Sequence, residues 1–245
     1  MLSGILSNYK EDVAMMYLIY EGRVGEYVRY VAGKKVFPVK PSVSGIQDVQ
    51  YVKTVRTKRW RIYRKEGDVL ELISDEPVAV ISVYGVRGFS NIIYMANSIS
   101  NAFIDNKYAF SARSIGCSDE SIEKLRFSTN IMTLKDAWQN NYSDPFYLAD
   151  FSRINRYRLL TCSDTPILLA SRQVEKIGRK MCFCVRTMDN SGRHIDFTLF
   201  SSTPGNPFHE NKLVVGIRVV VSLHSKVLFS KGDGTFKKPY ELAGI

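Results

Sequence analysis

No apolar run in this chain approaches the roughly 18 to 20 residues needed to span a bilayer. The opening residues, MLSGILSNYKED, also lack the basic-then-apolar pattern of a secretory leader. The expectation is a soluble protein. Cysteine is scarce: Cys117, Cys162, Cys182 and Cys184 are loosely spaced over 245 residues, which excludes a disulfide-framework protein. Reduced thiols in a cytosolic or nuclear setting fit that usage. There are three histidines, His194, His209 and His224, and none has H-E-x-x-H spacing. A G-x-S-x-G nucleophile elbow is missing, and so is the Walker lysine pattern around Gly232 and Gly234. Long periodic helices are missing as well.

The remaining constellations are thin. Cys182 and Cys184 flank Phe183 in a strand-like run, so alternation sends both thiols to one face. A metal would need two more ligands, with Cys162 and His194 as loose candidates, and buried unligated thiols are the plainer reading. Asp189, His194 and one of the many serines can be drawn as a triad, as in almost any chain of this length. The pairs Asp75/Glu76 and Asp119/Glu120 sit beside turns or helix starts, where solvated caps explain them. The reading is a protein that is not an enzyme and carries no cofactor.

What the chain does have is positive charge, gathered in one place. The stretch Lys53 to Lys65, KTVRTKRWRIYRK, carries seven cationic side chains and no acid. From Arg23 to Lys65 stand twelve of the 34 Lys and Arg but two of the 24 Asp and Glu. The remaining 22 bases and 22 acids balance, so the whole net charge of +10 lies in this early segment. Such a run is costly to bury; it suits an acidic polymer or an anionic membrane surface, or is a solvated face of a strand whose other face is apolar. Lys53, Arg56, Lys58, Arg59, Arg61, Arg64 and Lys65 are the candidate phosphate contacts, with Trp60 and Tyr63 able to stack on exposed bases or to pack under the cationic stems. KRWRIYRK also resembles a nuclear-import signal. A second basic group, Arg153, Arg156 and Arg158, would border the same surface or form an interface, and Arg172, Lys176, Arg179 and Lys180 make a third patch near a turn.

Hydrophobic content of 45% against 24% charged is that of a folded chain. Leu2 to Tyr20 has nearly helical apolar spacing. Tyr27 to Val31 predicts a short strand, and Val36 to Pro41, with two prolines, an extended crossing. Ile46 to Ile62 favours extended structure. There Thr54, Arg56 and Lys58 share one face and Arg59 and Arg61 the other, unless a bulge near Lys58 returns them to a common side. Val69–Ile73 and Val78–Tyr84 are strands. Ile92, Ile93 and Met95 read as strand or as the start of a short helix. Asp119–Leu125 and the segment capped by Thr133 are short helices.

Beyond residue 150, strands are expected at Arg156–Leu160, Thr165–Ala170, Met181–Met188, Ile195–Phe200 and Val214–Leu223, the last the most apolar. On the predicted strand Arg156 and Arg158 share a face. The fold class is all-β: a single antiparallel sandwich, jelly-roll-like, with an N-terminal helix and one or two short helices in loops. The organisation is a helical segment over 1–22, a basic segment over 23–65 leading into the first strands, and a sandwich body over 66–245.

TLKDAWQN from Thr133, then FSRINRYRLL from Phe151, then VVGIRVVVSLHSK ending at Lys226, resembles the second half of jelly-roll coat and nuclear-shuttle proteins of small circular single-stranded DNA viruses. In those a short helix precedes an F-x-x-x-x-R-[FY]-x-[VIL]-L strand, matched by Phe151, Arg156, Tyr157, Arg158, Leu159 and Leu160. The resemblance implies an eight-stranded jelly roll that contacts single-stranded DNA and self-associates. Those families begin with a basic arm, whereas this chain begins nearly neutral and places its basic run at Lys53 to Lys65. The expected function is therefore a viral structural protein that self-assembles and binds single-stranded nucleic acid, DNA or RNA, in the virion and in the host nucleus or cytoplasm. The alternative is a matrix or occlusion lattice protein whose basic run meets an anionic membrane or a neighbouring subunit.

Overall fold

The computed structural model describes residues 22–32, 49–54, 57–67, 69–105, 107–118, 146–160, 163–203, 209–224 and 227–243. The expected N-terminal helix, the crossing at Val36–Pro41 and the short helices between 119 and 140 lie outside them. Among the described residues, two seven-stranded sheets and two helices make a mostly-β fold. In chain order the strands are β1 (Tyr27–Arg29), β2 (Val49–Thr54), β3 (Arg59–Glu66), β4 (Val69–Ser74), β5 (Ala79–Tyr84), β6 (Ala109–Ser114), β7 (Ile167–Ile177), β8 (Lys180–Met188), β9 (His194–Ser202), β10 (His209–Glu210), β11 (Lys212–Ile217), β12 (Val219–Leu223), β13 (Leu228–Lys231) and β14 (Tyr240–Ala243). The first sheet runs β13-β14-β1-β3-β4-β12-β6 and the second β10-β9-β8-β7-β11-β5-β2. Their inner faces meet over one large core that includes Trp60, Ile62, Leu72, Val219 and Val221 from the first and Ile81, Val83, Phe183, Leu199 and Val215 from the second.

The sheets are not purely antiparallel. β1 pairs with β14 in parallel, and β11 touches β7 in parallel through Gly216 and Ile167. The most apolar stretch, expected as one strand over Val214–Leu223, is two strands in different sheets. β11 pairs with β5 and β12 with β4, so two neighbouring segments cross together from one sheet to the other. The crossing falls at Arg218, which is wholly buried. Its guanidinium donates through Nε to the Ser74 carbonyl at 2.9 Å and through Nη1 to the Leu159 carbonyl at 2.5 Å. Three N–H groups thus bind two buried carbonyls, Ser74 at the end of β4 and Leu159 from another part of the chain. Burial pulls its pKa down to about 10, and Asp75 opposes that shift.

A helix, α1 (Gly85–Asn101), follows β5 directly, where the sequence reads as short strand or short helix, and 13 of its 17 residues are buried. Val86, Phe89, Ile92, Ile93, Ala96 and Ile99 recur at helical spacing and join the core, while the buried Ser90 and Ser100 hydroxyls donate back to the Val86 and Ala96 carbonyls. Phe89 meets Phe183 and Phe200 edge-on at 5.6 and 5.7 Å, and those two rings stack at 3.9 Å. No side chain of its own caps the N-terminus; the Glu210 carboxylate, from β10, accepts from Val86 N at 3.2 Å. Gly85, at φ +59, leaves room for it, because a Cβ there would stand 2.2 Å from Glu210 Oε1.

The second helix, α2 (Phe146–Arg156), overturns the strand expected at Arg156–Leu160. It ends in a left-handed turn: Arg158 has φ 50, Leu159 N donates to Ile154 O at 2.8 Å and Arg158 N to Asn155 O at 3.2 Å. This closure satisfies the last carbonyls of the helix. Ile154 and Leu159 then pack with Tyr63, Ile73 and Val220 on the outer face of the first sheet, a second and smaller core. Arg156 and Arg158 therefore do not share a strand face.

Candidate nucleic-acid interface

The basic run is split between the sheets. Lys53 lies in β2, on the edge of the second sheet, and its side chain, like the whole of Arg56, lies outside the described residues. From Arg59 the chain runs in β3 of the first sheet, and β3 continues to Glu66, across the boundary expected at 65/66. Within β3, Trp60 and Ile62 point into the core. A bulge between Ile62 and Arg64 places Tyr63 as an extra residue, so that Arg64 falls opposite Glu71 on the outer face. The register shift lies here, five residues beyond the place expected near Lys58.

Trp60 and Tyr63 turn away from solvent and pack beneath the run. Trp60 is fully buried, packed edge-on between Tyr30 at 5.1 Å and Phe103 at 5.7 Å. Tyr63 is 1% exposed and donates its hydroxyl to Asp150 Oδ1 beneath α2. Burial first, then the neighbouring Asp150 charge, holds the phenol far above its ordinary pKa. The same carboxylate receives Arg113 Nη1 at 2.7 Å, Arg113 Nη2 at 3.3 Å and Gly116 N at 2.6 Å. Burial opposes the charge on Arg113, and Asp150, by charge and hydrogen bond, outweighs it and raises the pKa. Arg64 joins this network rather than a ligand. Its Nε and Nη2 each stand 3.0 Å from the Glu71 carboxylate, itself 2% exposed. Lys65 is half-buried, and burial lowers its amine pKa.

The open part of that outer face lies beyond α2. Arg29 on β1 stands directly opposite Arg59 on β3, and Tyr27 opposite Arg61. Like charges placed opposite one another destabilise a strand pair by up to about 1 kcal/mol. Here they are flanked by Glu241, 3.4 Å from Arg29, and Glu76, 3.5 Å from Arg59, both well exposed. Arg29, Val31, Lys58, Arg59, Phe236, Lys237 and Pro239 line a concavity of about 680 Å³, with no acid among them. Phe236 and Lys237 come from the loop between β13 and β14, which Asp233 organises. Its carboxylate accepts from Thr235 N at 3.0 Å, its backbone N donates to Lys238 O at 3.0 Å, and Tyr27 N donates to Gly234 O at 2.8 Å.

Cations and rings alternate away from the concavity. Arg59 lies 4.3 Å from the Phe236 centroid, Phe236 meets Tyr27 edge-on at 5.4 Å, and Arg61 lies 5.1 Å from the Tyr27 centroid. Arg61 is fixed by hydrogen bonds from Nε to Gly25 O at 2.9 Å and from Nη1 to Arg158 O at 3.0 Å. That contact brings the end of α2, with exposed Arg156 and Arg158, beside the run. The structure therefore brings Lys58 and Arg59 to one concavity, sets Arg61 against the backbone carbonyl of Arg158, leaves Arg156 and Arg158 exposed at the end of α2, and turns Trp60, Tyr63 and Arg64 away from the open face. Arg29, Phe236 and Lys237 were missed by sequence reasoning. The signal for the last two was an aromatic beside two lysines after the Gly232-Asp233-Gly234 turn.

The other candidate constellations do not converge. Asp189 accepts from Ser191 and Arg193 within its turn, whereas His194 meets Asp196 at 3.2 Å. Cys184 Sγ contacts Thr198 Oγ1 at 3.4 Å. Among the described residues no group of three or more His, Cys, Asp or Glu is placed to hold a metal ion. Comparison of the chain with models of known protein families, with curated proteins and with solved structures finds no match.

Proposed function

We propose that this protein binds single-stranded nucleic acid on the outer face of its first sheet, as a non-enzymatic structural protein. One observation carries the reading: Arg29 and Arg59 are set directly opposite each other, their repulsion offset by the exposed Glu241 and Glu76, and with Lys58 and Lys237 they line a concavity that has no acid in its lining. A polyanion threading there relieves that repulsion and releases its counterions. The wider form of the reading, a self-assembling viral coat protein with a jelly-roll body, rests on the resemblance alone, and α2 stands where that resemblance wants a strand. The alternative of a matrix or lattice protein on an anionic membrane would use the same cations. A recessed site with a half-exposed ring suits a narrow, flexible strand better than a flat bilayer.

The test is the salt dependence of binding to single-stranded DNA and RNA. Replacing Arg29, Lys58 and Lys237 together with Ala is expected to weaken binding and to reduce the log–log salt slope by about 2, three contacts at about 0.7 each. Arg64→Ala is expected to leave the slope unchanged, because Glu71 already holds that guanidinium. An unchanged slope in the triple variant, or preferential flotation of the protein with anionic liposomes, overturns the reading.

A further inference from the structure

Phe236 is 53% exposed on a surface where Arg29, Lys58, Arg59 and Lys237 surround it. Its ring is not loosely hung, since the Asp233 turn and the Tyr27 to Gly234 hydrogen bond hold its backbone on β1. One ring face is occupied by Arg59, whose guanidinium lies 4.3 Å from the centroid. A flat, delocalised guanidinium on an aromatic face takes the place and shape that a nucleobase would take. Arg59 is in turn tethered to Glu76 at 3.5 Å, and both side chains are 40% exposed or more, so the tether is weak. Val31 and Pro239 add apolar wall, while Arg29, Lys58 and Lys237 surround it with charge.

We propose that Phe236 is a stacking platform for one unpaired nucleobase, that Arg59 covers it in the free protein, and that Glu76 holds the cover in place. The inference rests on the phosphate-binding reading and names what that site takes: a single unstacked nucleotide, base on the ring and phosphate among the cations. A duplex keeps its bases stacked inside and cannot present one. When a base arrives, Arg59 leaves the ring, exchanges Glu76 for a backbone phosphate, and so its displacement adds a contact as it opens the site.

Fluorescence anisotropy separates the stacking step from the charge step, with three probes: a labelled oligothymidylate, an abasic strand of equal length and charge, and a duplex. Phe236→Leu keeps an apolar side chain and removes the ring. It is expected to weaken the oligothymidylate about tenfold and to leave the abasic strand unchanged. Glu76→Gln, a surface change that does not threaten folding, is expected to tighten the oligothymidylate about threefold and the abasic strand by less. The wild-type protein is expected to prefer the oligothymidylate over the duplex at equal salt. Equal losses on both strands with Phe236→Leu, or equal gains with Glu76→Gln, overturn the platform and leave the phosphate reading standing. If replacing Arg29, Lys58 and Lys237 weakens neither strand, the phosphate reading falls and the platform with it.

Discussion

Asp150 shows how much one carboxylate can organise. It accepts from Tyr63, from both terminal nitrogens of Arg113 and from Gly116 N, all within a site sealed from water. Removing its charge would leave Arg113, 2% exposed, with Glu71 at 3.8 Å as a more distant anion that Arg64 already engages. Asp150→Ala is therefore expected to destabilise by about 3–5 kcal/mol, the range for breaking a buried pair. Tyr63→Phe, which deletes one hydrogen bond to the same carboxylate, is expected to cost about 1 kcal/mol. Urea unfolding monitored by circular dichroism checks both, with the midpoint falling and the slope unchanged. At this scale the sequence was half legible. A cation-rich strand with two aromatics could be seen. Which of its side chains lay beneath a helix could not, because Asp150 stands 87 positions from Tyr63.

At the scale of elements, α1 is the clearest case. Its apolar residues Val86, Phe89, Ile92, Ile93, Ala96 and Ile99 keep helical spacing, but its first turn has two glycines, Gly85 and Gly88, and Tyr84 at its N-terminus makes no side-chain cap, so nothing in the sequence marks where it starts. The cap arrives from 124 positions away as Glu210. Glu210→Ala is expected to cost about 1 kcal/mol, the usual worth of a cap and of a carboxylate near the helix dipole. Gly85→Ala is expected to cost more, since it adds a strained φ to a clash with that carboxylate. Thermal melts of the two variants check the order, and a Glu210→Ala protein that melts with the unsubstituted one would deny Glu210 its capping role. The end of α2 has a similar logic. Arg158 takes a left-handed conformation where glycine is usual, so its residue type conceals the helix stop that Leu159 and Arg158 N–H groups form.

For the whole molecule, the two sheets are one mechanical object. β4 runs on into β5 and β11 into β12 across the same corner, with Arg218 bridging Ser74 and Leu159 and Gly216 set against Pro77. Neither sheet can open without dragging a pair of strands out of the other. Far-ultraviolet and near-ultraviolet circular dichroism are therefore expected to report one coincident unfolding transition, and two separated transitions would show the sheets to be independent. Arg218→Met is expected to lower that single transition, not to split it, because it removes donors from the shared corner.

From sequence alone followed the concentration of charge between Arg23 and Lys65, the strand-rich character, and strands at Val69–Ile73, Val78–Tyr84 and Met181–Met188, each within a residue of the observed bounds. These properties are local: a side chain's charge and a two-residue alternation need no partner to be read. Tertiary structure alone decided that Val214–Leu223 divides between two sheets, that Phe151–Arg156 is helix, and that the bulge falls at Tyr63. It also decided which cations face water. Register, crossing and burial depend on residues tens to hundreds of positions apart, and Phe236 reaches Arg59 through a pairing of β1 with both β3 and β14 that no window of sequence contains.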